Sequence, residues 1–154
     1  MIKGKIRQMK DSDLKRVSTL YQDANKFTTR PCIIRWSGDD FRRFPKYHFV
    51  FENEGKVIGG ISGTLHRRNL GVVEDIAVDR KHRCNGIGDR LMKKLLDRFK
   101  ENGITKVRLW IHWTDARAIP FYYKHGFKLK MFRHAHQISC VPDGEDILFL
   151  ERIL

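Results

Sequence analysis

Residues 73 to 88 read Val-Glu-Asp-Ile-Ala-Val-Asp-Arg-Lys-His-Arg-Cys-Asn-Gly-Ile-Gly, and they decide how the rest of the chain is organised. The β-branched residues at the start predict a strand. A basic turn and two glycines follow, and apolar residues then recur at helical spacing from Leu91 to Phe99. The pattern predicts a strand, a glycine loop and a helix, whose first free N–H groups point at an anion.

Two familiar phosphate loops do not fit this stretch. A Walker loop has four residues between its glycines and ends in Gly-Lys-Ser/Thr, whereas Gly86 and Gly88 are separated by one residue and followed by Asp89-Arg90. A dinucleotide-binding loop has a third glycine where this chain has Leu91. The loop therefore belongs to another class of anion site.

Two blocks of sequence, residues 74 to 88 and residues 118 to 127, resemble the GNAT superfamily of N-acetyltransferases. The segment from Arg83 to Gly88 is similar to the family's R/Q-x-x-G-x-G/A loop, which binds the diphosphate of acetyl-coenzyme A (acetyl-CoA). The segment from Glu74 to Asp79 resembles the family's fourth strand. Residues 118 to 127, Ala-Ile-Pro-Phe-Tyr-Tyr-Lys-His-Gly-Phe, resemble its A-I-x-x-Y-x-K-x-G-F signature. The order and spacing of the blocks make the resemblance specific.

Length and composition indicate a soluble globular chain. Its 154 residues predict a single N-acetyltransferase domain over 1–154, and 41% apolar against 32% charged residues suits a packed core with a polar surface. No apolar run is long enough to span a bilayer and no secretory signal is evident, so we expect a cytoplasmic protein without membrane contact. A homodimer is compatible with such a chain.

Periodicity predicts the order β-α-α-β-β-β-α-β-α-β-β. We expect strands over about 2–8, 47–51, 56–65, 70–79, 106–112, 127–137 and 146–152, and helices over about 11–26, 37–44, 88–102 and 114–126. The fold class is then α/β, a mixed, mostly antiparallel twisted sheet of about seven strands with helices on both faces. The GNAT family shows the same order, so the likeness in layout covers essentially the whole chain.

The resemblance implies a cofactor site for acetyl-CoA as co-substrate, with no metal. The diphosphate would lie on the glycine loop, and the pantetheine would run along the loop's own strand, which splays from the next one. A backbone N–H of that strand would stabilise the oxyanion. The implied contact residues are Ile76, Ala77, Val78, Arg83, Cys84, Asn85, Gly86, Ile87, Gly88, Asp89, Asp115 and Tyr122.

Two side chains are candidates for the chemistry of amine acetylation. Glu74 lies two residues before Ile76, so strand alternation predicts that both face the same way, and Glu74 is then the candidate base, directly or through water. Tyr122 stands at the family's tyrosine position, where its hydroxyl would donate to the departing sulfur. We expect Phe121 and Tyr123 to serve packing instead.

Some positions depart from the family pattern. The family often has Asn where this chain has Asp115, which we expect to cap the helix instead. Pro120 is compatible with a helix only within its first turn. Cys84 and Asn85 stand where Gly or Lys is common.

Parts of the sequence also suit functions other than an enzyme. A net charge of +13 and aromatic residues among basic ones, at 35–36, 41–44 and 132–133, also suit a nucleic-acid-binding module. We prefer to place Trp36, Phe41 and Phe44 in an apolar wall of the acceptor pocket. A non-catalytic acyl-CoA-binding protein is a third option. His134 and His136 would share a face of a strand, with Cys140 nearby, but no third ligand stands at a recognisable spacing for a metal.

The acceptor is the least specified part of the reaction. We expect a primary amine of a small molecule or protein, bound by segments 27–45 and 134–145, which carry no family motif. The +13 charge disfavours a polycation as acceptor.

Overall fold

A computed structural model describes residues 2–25, 38–134 and 146–154 of the chain. Seven strands are present: β1 Lys5–Gln8, β2 His48–Asn53, β3 Lys56–Arg67, β4 Leu70–Val78, β5 Lys106–His112, β6 Lys128–His134 and β7 Asp146–Ile153. The α-helices are α1 Leu14–Asn25, α2 Asp39–Arg43, α3 Ile87–Glu101 and α4 Ile119–Lys124. The element order read from the sequence is confirmed. The predicted loop over 27–35 and the turn near 141–144 lie outside the described residues.

All seven strands form one sheet in the order β1-β2-β3-β4-β5-β7-β6. Neighbouring strands are antiparallel except β4 and β5, which run parallel. A parallel pair needs a crossover, and α3 supplies it. The predicted mixed, mostly antiparallel sheet is thus confirmed.

The parallel pair β4 and β5 separates after three residues. Pairing joins residues 70–72 of β4 to residues 106–108 of β5, and the paired positions recorded for these two described strands stop there. Beyond this point β4 continues to Val78 against β3, while β5 continues to His112 against β7. The two strands therefore open a slot between residues 73–78 and 109–112, which confirms the expected splay.

Helices cover both faces of the sheet. α3 packs on one face through Leu91, Leu95 and Phe99, each fully buried. Val17 and Tyr21 of α1 pack on the other face, which we call the α1 face. These apolar stripes at helical spacing explain why both segments are helical in this context.

Close approach of α3 to the sheet depends on glycine. A Cβ atom at Gly63 would lie 2.9 Å from side-chain atoms of Leu95 and Phe99, and one at Gly71 would lie 2.8 Å from the Phe99 ring. Both distances are shorter than a tolerated carbon contact. Glycine at these two strand positions lets the helix lie directly on β3 and β4.

The ends of the helices follow the sequence signals with one difference. α3 ends before Asn102 and Gly103, whose φ of 73° is the left-handed conformation expected there. The segment expected to be helical from Thr114 or Asp115 is instead a 3-10 helix over Trp113–Ala118, and α4 begins at Ile119. Pro120 therefore lies in the first turn of α4, as required. Within the described residues, no helix is both long and apolar enough to cross a membrane.

Candidate active site

A β-bulge in β4 lies at Glu74. Ser62 pairs with Asp75 and Gly63 pairs with Val73, so Glu74 is an extra residue opposite the β3 ladder. Ile76 packs with the α3-side core, whereas Glu74 accepts a 2.5 Å hydrogen bond from Thr64 Oγ1 on the α1 face. The prediction that Glu74 and Ile76 share a face is therefore wrong, because the bulge interrupts the alternation.

The bulge turns two successive carboxylates toward the α1 face. Asp75 follows Glu74 and pairs with Ser62, whose hydroxyl is 2.7 Å from that of Tyr21 on α1. Burial, followed by the charges of Glu74 and Asp40, raises the pKa of Asp75 to about 7. A carboxyl group that titrates near neutrality can exchange a proton with an amine. The sequence indicated only Glu74 for this role, so Asp75 is an additional candidate.

Glu74 differs from Asp75 in exposure. Its side chain is solvent-exposed, yet the protein around the carboxylate raises its pKa by desolvation. The hydrogen bond from Thr64 opposes that shift, and the charge of Asp40 adds to it. Solvent screens the charge of exposed Glu74 more than that of partly buried Asp75.

Tyr122 lies on α4, partly buried against the α3-side core. Its ring contacts those of Phe121 and Phe127 at centroid distances of 5.4 and 6.1 Å. Burial raises the pKa of its hydroxyl, and the charges of Asp115 and Asp75 raise it further. Its hydroxyl makes no hydrogen bond to a described residue, so Tyr122 remains protonated and has a proton to donate.

The glycine loop is shaped by its own side chains. Arg83 Nε donates to the carbonyl of Val78 at 2.9 Å, and Asn85 Nδ2 donates to that of Arg83 at 2.9 Å. Cys84 and Gly86 have φ of 60° and 74°, so the chain reverses within three residues and enters α3 at Ile87. The first N–H groups of α3 have no partner within the helix and face the loop as anion donors.

The carboxylate of Asp89 is engaged by α4. It lies 2.9 Å from Lys124 Nζ and 2.9 Å from His125 Nε2, and the bond from Lys124 is the largest cause that lowers its pKa. These contacts join the first turn of α3 to the end of α4. The backbone of Asp89, rather than its side chain, is then what a bound anion would meet.

An open groove of about 640 Å³ runs from the slot to the loop. All the predicted contact residues line it except Asn85 and Tyr122. Lining residues that the sequence did not indicate are Ala24, His82, Ala118 and Phe121. Ala24 comes from α1, and nothing in the sequence around it indicates a binding site. Phe121, which the sequence predicts to serve packing, also forms a wall of the groove.

Other predicted residues fall differently. Tyr123 is 48% exposed, so its expected role in packing is wrong. Phe41 is buried against His48 rather than on an open wall, with ring centroids 5.6 Å apart, and Trp36 lies outside the described residues. Within the described parts of the chain, no group of three or more His, Cys, Asp or Glu residues is placed to hold a metal. His136 and Cys140 lie outside those parts.

Comparisons with known proteins agree with this geometry. Ard1 from Thermoplasma volcanium superposes with a TM-score of 0.83 at 27% identity, over 98% of this chain and 97% of that one. Arabidopsis thaliana Naa50, solved with the bisubstrate analogue CoA-Ac-MVNAL, superposes with a TM-score of 0.77 over 98% and 99% of the two chains; at 18% identity it shows the fold alone.

Sequence relatives match over part of their length. Streptothricin acetyltransferase A of Bacillus subtilis is 32% identical over 82 residues, which are 53% of this chain and 47% of that protein. The chain spans between 39% and 56% of the curated relatives that it matches. The model of the Acetyltransferase (GNAT) family matches residues 10–127. With the splayed strands, the glycine loop and the bulge in place, the chain belongs to the GNAT family of acetyltransferases.

Proposed function

We propose that the chain is an N-acetyltransferase that moves the acetyl group of acetyl-CoA to a primary amine by direct attack in a ternary complex. One observation carries the proposal. A single strand, β4, leads from the bulge carboxylates Glu74 and Asp75 to the glycine loop, with an open groove along its last residues, 76–78. An acyl carrier with a diphosphate at one end and a thioester at the other suits that arrangement.

The diphosphate is bound by the N–H groups at the start of α3 and by Arg83. The terminal nitrogens of Arg83 remain available because only Nε is bonded to Val78. The pantetheine arm lies along residues 76–78, whose backbone has no paired position on β5 among the described residues. The free N–H and C=O groups of such a strand edge can form hydrogen bonds with the amides of the pantetheine arm, as a neighbouring strand would.

The bulge carboxylates accept the proton of the amine. The acceptor ammonium loses a proton to Glu74, directly or through water, and its lone pair then attacks the thioester carbonyl carbon. Asp75 is the alternative base, since its pKa of about 7 suits the task. A backbone N–H of β4 donates to the oxyanion.

Tyr122 completes the reaction as the acid. When the carbon–sulfur bond breaks, the thiolate takes the hydroxyl proton of Tyr122, which the raised pKa keeps in place until then. The attacking nitrogen then loses its second proton to give the neutral amide, and a proton from solvent restores the Tyr122 hydroxyl. Asp75 and Asp115 both act electrostatically on Tyr122. The acid for the departing sulfur would thus come from α4, and the base for the amine would come from β4.

The acceptor is a primary amine of a protein or a small molecule, in the cytoplasm. A name such as streptothricin acetyltransferase denotes a small acceptor, and the peptide in the Naa50 analogue denotes a polypeptide. The rival readings, a nucleic-acid-binding module or a non-catalytic acyl-CoA-binding protein, are not favoured. The bulge carboxylates and Tyr122 give the site groups that turnover needs and that simple binding does not.

Two measurements test the proposal. Titration calorimetry should detect binding of acetyl-CoA to the protein, and release of free coenzyme A should be measured over a panel of small amines and peptides. We expect binding and acceptor-dependent release. Absence of a calorimetric response would refute the enzyme, whereas binding without release from any amine would favour the non-catalytic reading.

A further inference from the structure

A second groove, of about 510 Å³, lies at the end of β4 remote from the glycine loop. We call it the basic groove. Its lining comes from the turn between β3 and β4 and from the start of β5, and none of its members is acidic. They are His66, Arg67, Arg68, Asn69, Leu70, Thr105, Lys106 and Arg108. This concentration of cations makes it a site for a negatively charged group.

The cations of the basic groove are incompletely neutralised. The side chains of Arg67 and Arg68 are exposed and make no ion pair or hydrogen bond with a described residue. The nearby acid is Glu151 on β7, which is 2.7 Å from Arg108 Nε and 4.0 Å from Lys106 Nζ. One carboxylate shared by two cations leaves the groove with a surplus of positive charge.

The basic groove opens on the α1 face, the face that carries the bulge carboxylates. Val107 is buried on the α3 side, so strand alternation places Lys106 and Arg108 on the opposite side of β5. Glu74 is on that side as well, because it bonds Thr64. A ligand lying on this face can therefore reach both features without crossing the sheet.

The two features are separated by a short length of strand. Glu74 at the bulge follows Leu70 at the groove by four positions along β4, which is about 13 Å of strand. Trp110, partly buried, lies between Arg108 and His112 on the same face of β5 and contributes an apolar floor. This distance corresponds to about four residues of an extended polypeptide.

We infer that the acceptor is a polypeptide with acidic side chains about four to six residues from the acetylated amine, and that these seat in the basic groove. The inference rests on the proposed acetyltransferase function and names its acceptor class. A small amine at Glu74 is too short to reach the groove, so the groove selects among longer acceptors. The ion pairs are partly exposed, so we expect a preference of about five- to tenfold.

Nucleic acid fits the same groove less well. Recognition of a single strand generally adds several aromatic side chains on which successive bases stack, whereas the imidazole of His66 is the single aromatic ring among the residues that line the basic groove, and Trp110 lies beyond them. An acidic peptide needs only the cations and the apolar floor. The charge of +13 also repels basic peptides from this face.

The experiment compares three ten-residue peptides with the same first three residues and with Glu, Gln or Lys at positions four to six. Release of coenzyme A gives kcat/KM for each peptide, and fluorescence anisotropy gives the affinity of an N-acetylated, labelled form of each. The groove variant is Arg67→Glu with Arg68→Glu. The matched control is Lys46→Glu with Lys100→Glu, which changes the charge equally at exposed positions without side-chain partners among the described residues.

We expect the parent and the control to prefer the Glu peptide over the Gln peptide five- to tenfold, and the groove variant to lose or reverse that preference. Turnover of a small amine should be alike in all three proteins. Equal rates on the three peptides in the parent, or an equal loss in the groove and control variants, would overturn the inference. So would groove-dependent binding of a 20-nucleotide RNA without groove-dependent binding of the Glu peptide.

The design separates this inference from the proposed function. Turnover of small amines without a charge preference among peptides would leave the acetyltransferase intact and remove the peptide groove. If the anisotropy shows charge-selective, groove-dependent peptide binding but no amine is turned over, the peptide groove stands and the acetyltransferase activity is refuted. Each readout therefore addresses one of the two claims.

Discussion

Thr64 Oγ1 on β3 donates a 2.5 Å hydrogen bond to Glu74 Oε1 at the bulge of β4. The bond holds the first of two successive carboxylates on the α1 face and favours its charged form, so it opposes the rise in the pKa of Glu74 that desolvation causes. Asp75, whose pKa the charge of Glu74 raises, is its neighbour. The two groups are thus coupled, and one substitution can tell which of them is the base.

Thr64→Val removes this hydrogen bond while keeping the branched shape. The pKa of Glu74 should rise, because its charged form loses a donor. If Glu74 is the base, the ascending limb of kcat/KM against pH moves to higher pH. If Asp75 is the base, less charge on Glu74 lowers the pKa of Asp75 and the limb moves to lower pH. Thr19→Val, on the exposed surface of α1, is the matched control and should leave the profile in place.

Gly86→Glu should abolish binding of acetyl-CoA, because it places a negative charge at the proposed site of the diphosphate. Gly103→Glu is a control of closely similar strain, since the two glycines have φ of 74° and 73° and neither has an atom within 4 Å of an added Cβ. Both variants should lose about 1 kcal/mol of stability. Calorimetry should detect binding only in the Gly103 variant; a Gly86 variant that still binds would remove the loop from the site.

Tyr122→Phe should lower kcat about 100-fold with little change in cofactor affinity, because it deletes the group that we propose as the acid for the leaving sulfur. Tyr123→Phe is the adjacent control, and Tyr123 is 48% exposed, so its loss should change neither quantity. Steady-state kinetics and calorimetry measure the two effects. Unchanged kcat in the Tyr122 variant would take that residue out of the mechanism.

Gly71→Ala should destabilise the protein by about 1–3 kcal/mol, since the added methyl would lie 2.8 Å from the Phe99 ring. Urea unfolding at neutral pH measures the loss. Adding Phe99→Leu to Gly71→Ala should recover part of the stability that Phe99→Leu alone would cost, because the methyl then fills space left by the ring. Simple additivity of the two changes would show that the close approach of α3 is not the cause.

Two buried groups should make stability depend on pH in opposite senses. Burial lowers the pKa of His48 from 6.5 to about 4, so its contribution is present above pH 6.5 and is lost as the pH falls toward 4. Burial raises the pKa of Asp75 to about 7, so its contribution is present below pH 3.8 and is lost as the pH rises through 7.

The variants His48→Gln and Asp75→Asn separate these two effects. Between pH 7 and pH 5, each group shifts the free energy of unfolding by about 2 kcal/mol, in opposite directions. Relative to the parent, the His48 variant should therefore gain stability on acidification and the Asp75 variant should lose it. Chemical unfolding at the two pH values gives both slopes; parallel slopes in all three proteins would contradict the assigned shifts.

Local pattern predicted most of the fold. The strand of residues 106–112, with Val107, Leu109 and Ile111 on the buried side, has the bounds read from alternation. The end of α3 at Asn102-Gly103 follows from a glycine with positive φ. Errors arose where a contact outside the segment decides the outcome, as for Tyr123, which lies in an apolar run but faces solvent.

The candidate site divides in the same way. Residues 83 to 88 carry their own conformation, because glycine spacing and the start of a helix are local properties. The sequence alone therefore determined the glycine loop before α3 and its resemblance to the loop of the GNAT acetyltransferases, and it predicted an anion site there. The tertiary structure alone decided that Glu74 and Asp75 face the same side, since a bulge depends on how β4 pairs with β3. It also decided that Arg67, Arg68 and Arg108 line one groove, because they converge only when β3, β4 and β5 lie side by side.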